Sequence, residues 1–224
     1  MRFTDNPVGK KIIMAVTGLF LLLFLIVHLI GNSTIYIGPD GINTYAKGLH
    51  SLPPLVWSFR IAMLLVFSLH VYFGIRLTLE NRQAKPNGYA ISKTLKTTFG
   101  SKTMIWSGLI ILAFLIYHLL HFTLQVTQPH FVAVQNPDAF GRPDVYKMII
   151  LSFQKIAISL IYAVGLSALM IHLTHGVQSI FQTLGINNDR IMPKIKALGI
   201  FVAIVLLVAY MAIPTAVLTG ILKT

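Results

Sequence analysis

Five long apolar stretches, near positions 12–32, 55–79, 103–125, 148–181 and 197–222, leave this chain few folds to choose from. A hydrocarbon core is about 30 Å thick, so about 20 apolar helical residues cross it, and each stretch meets that length. With no water to satisfy backbone N–H and C=O groups, such segments must be helices. The expected fold is an all-α membrane protein of five transmembrane helices, the first four forming a bundle. The fourth stretch is long enough to tilt or to project from the bilayer. The chain of 224 residues, 55% hydrophobic and 11% charged, reads as one integral membrane domain.

The net charge of +12 is distributed rather than gathered into a nucleic-acid face. Arg82, Lys85, Lys93, Lys96 and Lys102 lie between the second and third stretches, and Arg190, Lys194 and Lys196 between the fourth and fifth. The alternate connections hold only Lys47, Arg142 and Lys147, so lysine and arginine bias puts the N-terminus in the cytoplasm. Lys10 and Lys11 precede the first stretch, which lacks a small-residue cleavage site and reads as a retained span. No cysteine is present, which excludes thioether haem attachment, thiolate-ligated iron–sulfur clusters and disulfides in this chain. The connections are short, with turn residues such as Gly38, Pro39, Asp40 and Gly41, so chemistry on a soluble substrate needs other subunits. No internal repeat is evident.

Four spans each carry a histidine, and their depths match in pairs. At about 1.5 Å of rise per residue, His28 and His118 lie about 24 Å and 22 Å from the inner edge, while His70 and His172 each lie about 14 Å from it. One such histidine commonly bridges helices by hydrogen bonding. Four on antiparallel spans at two shared depths point instead to two b-type haems, each held by two neutral imidazoles. Gly31, Gly74 and Gly176 follow three of them by about one turn and offer a macrocycle close approach to backbone. His121 and His175 sit about one turn beyond His118 and His172, and spacing alone leaves either able to replace its neighbour. Arg60 and Lys155, cations just inside the outer boundary, suit propionate pairing or snorkelling. Asp40, Asn43, Tyr45, His50 and Ser51 give the outer loop donors of the kind a quinone carbonyl needs, although ordinary turn chemistry explains any one of them. His130 lies in an outer loop, where exposure is the ordinary state.

Phe24-Leu25-Ile26-Val27-His28-Leu29, Ile42-Asn43-Thr44-Tyr45 running to Ser51-Leu52-Pro53, and Ser68-Leu69-His70 with Gly74 form an ordered series. It continues with Tyr117-His118-Leu119 and His172-Leu173-Thr174-His175-Gly176-Val177-Gln178-Ser179. Across nearly the whole chain this series resembles the five-helix, dihaem cytochrome b subunit of succinate:quinone oxidoreductases, the succinate dehydrogenase and fumarate reductase complexes. The resemblance implies that His28 and His118 hold an outer haem, and His70 and His172 an inner one. It also implies a cytoplasmic iron–sulfur subunit, an FAD-containing flavoprotein subunit that oxidises succinate, and a quinone, usually menaquinone, reduced near the outer haem. FAD and iron–sulfur clusters belong to those partners, and the setting is the cytoplasmic (inner) membrane. Some fumarate-reducing relatives carry a glutamate two residues before the last ligand, where this chain has Met170; succinate dehydrogenase is therefore the first expectation. Three alternatives are the cytochrome b subunit of a fumarate reductase, that of a hydrogenase or formate dehydrogenase, whose partner normally docks outside, and a cofactor-free transporter or structural anchor.

Overall fold

In the computed structural model, which describes residues 6–84, 99–128 and 130–224, seven helices carry the chain and no strand forms among the described residues. Asn6 opens α1 (Pro7–Ser33) by accepting from the Val8 N–H at 3.0 Å, with Pro7 at the first helical position, where its missing N–H costs nothing. Helices α3 (Pro53–Gln83), α4 (Phe99–His118), α6 (Ile156–Thr183) and α7 (Met192–Leu218) follow the apolar stretches. Five helices are long and apolar enough to cross a membrane. Their outward side chains, such as Ile30, Leu64, Trp106 and Phe201, remain well exposed, which a bilayer tolerates and water does not. Lys85, Lys93 and Lys96 of the basic connection lie outside the described residues.

Three local departures from the sequence expectation all sit at one end of the bundle. Here that end is termed the far end, and the end bearing the α1 N-terminus the near end. First, the turn-rich connection after α1 makes one 3-10 turn at Thr34–Ile37 and then a helix, α2 (Pro39–His50). Gly38, at φ 92°, reverses the chain, and Pro39 starts the helix; the same residues that mark a turn also mark a helix start. Second, the fourth stretch is two helices, α5 (Val145–Phe153) and α6, separated at Gln154 and Lys155. Lys155 adopts an extended ψ of 107°, and the Ser159 hydroxyl donates to the freed Phe153 carbonyl at 2.8 Å. Third, α4 ends in a π turn over Leu119–Thr123.

Around the bundle, α1 packs on α3, α3 meets α4 sparsely, α4 packs on α6, and α6 returns to α1. The seam between α4 and α6 is close because Gly165 presents bare backbone to the Phe114 ring. Helix α7 lies outside, against α6 and α1. The pairs α1/α4 and α3/α6 are therefore diagonals, and neither is a packed helix pair. At the far end, Ile35, Ile42, Tyr146, Ile150 and Phe153 bury a core beneath α2 and α5. At the near end, buried Lys10 pairs with Glu80 at 2.5 Å, and Arg76 reaches the same carboxylate at 3.0 Å.

Candidate functional site

Both matched histidine pairs face each other along the diagonals. His70 of α3 and His172 of α6 have ring centroids 6.2 Å apart, and His28 of α1 and His118 of α4 have centroids 5.9 Å apart. Two imidazoles sharing one metal at about 2 Å from each nitrogen place their centroids about 6 Å apart. The interplanar angles of 62° and 88° do not disturb that match, because rotation about the nitrogen–nitrogen axis leaves the separation unchanged. All four rings are half-buried.

The other nitrogen of three rings is held. His70 Nδ1 meets Thr17 Oγ1 at 3.1 Å, His172 Nδ1 meets Ser107 Oγ at 3.3 Å, and His118 Nδ1 meets the Tyr162 hydroxyl at 3.2 Å. His28 makes no ring hydrogen bond among the described residues; Phe24 stacks on it at 5.3 Å, and Tyr210 lies 6.3 Å away. No described residue hydrogen-bonds Nε2 of His70, His118 or His172. Occupied Nδ1 and uncommitted Nε2 is the arrangement of a histidine that ligates through Nε2, and the donor set at each level fits an iron held by two imidazoles within a macrocycle.

The neighbouring histidines are oriented differently. The π turn rotates His121 away from the diagonal into a buried cluster, where its Nδ1 lies 2.9 Å from the Tyr162 hydroxyl and its Nε2 3.2 Å from Ser152 Oγ. Gln128 lies 2.8 Å from the same Nε2, and Lys155 donates to the Gln128 carbonyl oxygen at 3.3 Å. His121 is 2% exposed with both nitrogens engaged, so it is His118 that faces His28. His175 lies toward the near end of α6; its Nδ1 and the Gln178 carbonyl oxygen are buried with no hydrogen-bond partner among the described residues, and it is His172 that faces His70.

The remaining candidates divide between scaffold and surface. Asn43 is fully buried: it accepts from the Tyr146 N–H at 2.9 Å and donates to Asp138 at 3.1 Å and Asp144 at 3.2 Å, which commits its amide to docking α2. Asp40 pairs with Arg142 at 2.7 Å beside a shallow hollow of about 270 Å³. His50 and Ser51 are exposed and bond backbone carbonyls of their own helix, His50 that of Ala46 at 2.8 Å and Ser51 that of Gly48 at 2.7 Å. Arg60 is exposed and stacks over Trp57 at 5.2 Å, and Lys155 reaches Gln128 rather than a histidine pair.

The glycines do not all open toward the diagonals. A side chain at Gly31 would strike the Tyr45 ring, so this glycine accommodates that tyrosine rather than a macrocycle. Gly74 and Gly176 face the flexible methyl ends of Met14 and Met104, at 3.5 Å and 3.9 Å from where a Cβ would sit.

Around Asp138 the electrostatics are unusually one-sided. Burial pushes its carboxyl up, but the Arg142 backbone N–H and guanidinium, the Asn43 amide and the Phe140 N–H together hold it at about 2. Arg142 is raised in turn by its bonds to Asp40 and Asp138.

Sequence reasoning missed Thr17, Ser107, Tyr162, Ser152 and Gln128. Tyr162 had a signal, since a phenol within an apolar helix needs a partner for its hydroxyl. The chain matches no known family model, no curated protein and no solved structure.

Proposed function

We propose that this chain is the dihaem cytochrome b membrane-anchor subunit of a succinate dehydrogenase, passing electrons from an iron–sulfur partner at the near, cytoplasmic end to a quinone at the far end. The observation that carries the reading is the facing of His70 with His172 and of His28 with His118 across both diagonals, at 6.2 Å and 5.9 Å. Haem b, when bound, supplies one-electron chemistry by cycling its iron between two oxidation states. His70 and His172 would hold the inner group, and His28 and His118 the outer one. Thr17, Ser107 and Tyr162 orient three of the four rings through Nδ1.

Quinone reduction needs hydrogen-bond donors and a proton supply at the far end. Lys155 and Gln128 offer donors near the surface, and His121 behind them connects through Tyr162 to the ring of His118. Menaquinone is the proposed acceptor, and the FAD-containing subunit docks through the iron–sulfur subunit. The cytoplasmic membrane is the proposed location.

The test is purification with co-purifying subunits from native membranes, followed by a pyridine haemochrome spectrum. Two b haems per chain with succinate-dependent menaquinone reduction support the reading, and a folded preparation without haem overturns it. His70→Ala or His172→Ala should abolish the inner haem signal while the outer one survives. Loss of neither would defeat the ligand assignment.

A further inference from the structure

Helices α1 and α4 carry one pattern. Met14, Thr17-Gly18-Leu19, Phe24-Leu25-Ile26 and His28 are matched in register by Met104, Ser107-Gly108-Leu109, Phe114-Leu115-Ile116 and His118. Helices α3 and α6 share a second one, His70 with Gly74 and His172 with Gly176. The contacts repeat with the letters. Thr17 meets His70 as Ser107 meets His172, at 3.1 Å and 3.3 Å. A Cβ on Gly18 would lie 3.3 Å from His70 Cε1, and one on Gly108 3.6 Å from His172 Cε1. Met14 covers Gly74 as Met104 covers Gly176. α1 with α3 and α4 with α6 are thus two copies of one hairpin, running the same way, related by a pseudo-two-fold axis along the bundle. Each histidine pair takes one ring from each copy.

The hydroxyl contacts favour one tautomer. Thr17 donates its only hydroxyl hydrogen to the Ile13 carbonyl at 2.7 Å, and Ser107 donates its own to the Met104 carbonyl at 3.1 Å. Each oxygen is left as an acceptor, so the hydrogen shared with the ring belongs to Nδ1 of His70 and of His172. Both Nε2 atoms are then left with a free lone pair. At the far level the copies differ: the position of Tyr162 is filled by Arg60 in the first copy, and that of His121 by Gly31.

We infer that Thr17 and Ser107 are matched positioning residues, a repeated clamp that fixes both near-level imidazoles as Nε2 ligands and tunes the iron that they share. The inference rests on the dihaem reading. An Nδ1–H that donates to a hydroxyl oxygen makes the imidazole a stronger donor and favours the oxidised metal. Thr17→Val, close in shape, and Ser107→Ala remove the hydroxyl acceptor without removing the ligand, and leave the backbone carbonyls of Met14 and Met104 beside the rings.

The experiment uses the purified complex, with haem counted by pyridine haemochrome and each haem followed by low-temperature EPR and redox titration. In both variants the inner haem's low-field line should shift and its midpoint potential become more positive. The outer haem should stay unchanged, and Thr17→Ser should restore the wild-type signature. Two haems with an unmoved line and potential in both variants overturn the clamp alone. A wild-type complex without haem overturns the cytochrome reading and the clamp with it.

Discussion

His118 and His121 lie three positions apart, and the difference between them lies in one local backbone choice. A regular helix would put both on neighbouring faces directed inward. The π turn at Leu119–Thr123 instead carries His121 into contact with Tyr162 and Ser152, and π turns recur where a helix must re-aim a side chain for function. His121→Ala should therefore leave two haems per chain. It should also remove one partner each from the buried Tyr162 and Ser152 hydroxyls, which keep His118 and Met148, a loss of about 0.5–1.5 kcal/mol in stability per bond. Haemochrome content and thermal melting of the variant check both halves, and a missing haem would make His121 a ligand. The depths of the four facing histidines were legible because helical rise converts residue number directly into distance. The choice between neighbours was not, because nothing in Leu119–Thr123 announces a wider turn.

At the scale of elements, α2 and the segment before α5 form one polar assembly at the far end. Asn43 ties α2 to the N-terminus of α5, and Asp138 gathers Arg142, Asn43 and the Phe140 N–H around a single carboxylate. The usual value for that carboxyl is 3.8, and the folded value is about 2. A depressed folded pKa contributes stability that is present above 3.8 and lost as pH falls from there through about 2. Proteolysis within 124–144 should accordingly accelerate over that acid window in the wild type. Asp138→Asn should cut faster already at neutral pH and lose most of the acid dependence; an unchanged rate would mean that the carboxylate does not hold the assembly. The sequence marked Gly38 and Pro39 as turn residues, and both do turn the chain. It did not separate a turn from a turn followed by a helix, since glycine and proline punctuate both. The break at Gln154 and Lys155 was hidden for a related reason: two polar residues in a long apolar run also suit a span that projects from the membrane.

For the whole molecule, five long apolar helices were readable from hydropathy alone, whereas the duplication was not, because lipid-facing positions vary freely and dilute the match. Only when Thr17 and Ser107 are seen on equivalent rings does the shared register stand out. The duplication removes one argument against a transporter, since parallel repeats occur in that class. It leaves the histidine pairs, shared between the copies, as the argument for redox work. Orientation then bears on the proposed function, in which an electron-donating partner meets the level held by Thr17 and Ser107. Among the described residues the near end carries Lys10, Lys11, Arg76, Arg82, Lys102, Arg190, Lys194 and Lys196, with Glu80 and Asp189 the acids. The far end carries fewer, Lys47, Arg60, Arg142, Lys147, Lys155 and Lys223, beside Asp40, Asp138 and Asp144. On the positive-inside rule that difference supports the proposed cytoplasmic near end. With no native cysteine, single substitutions report cleanly. In spheroplasts, an impermeant maleimide should label Ser51→Cys, at the exposed far end, and should reach the exposed near-end site of Asp189→Cys only after permeabilisation. The reverse pattern would place the docking face outside and favour the hydrogenase or formate dehydrogenase type of cytochrome, with the histidine pairs unchanged but electrons entering from the opposite side.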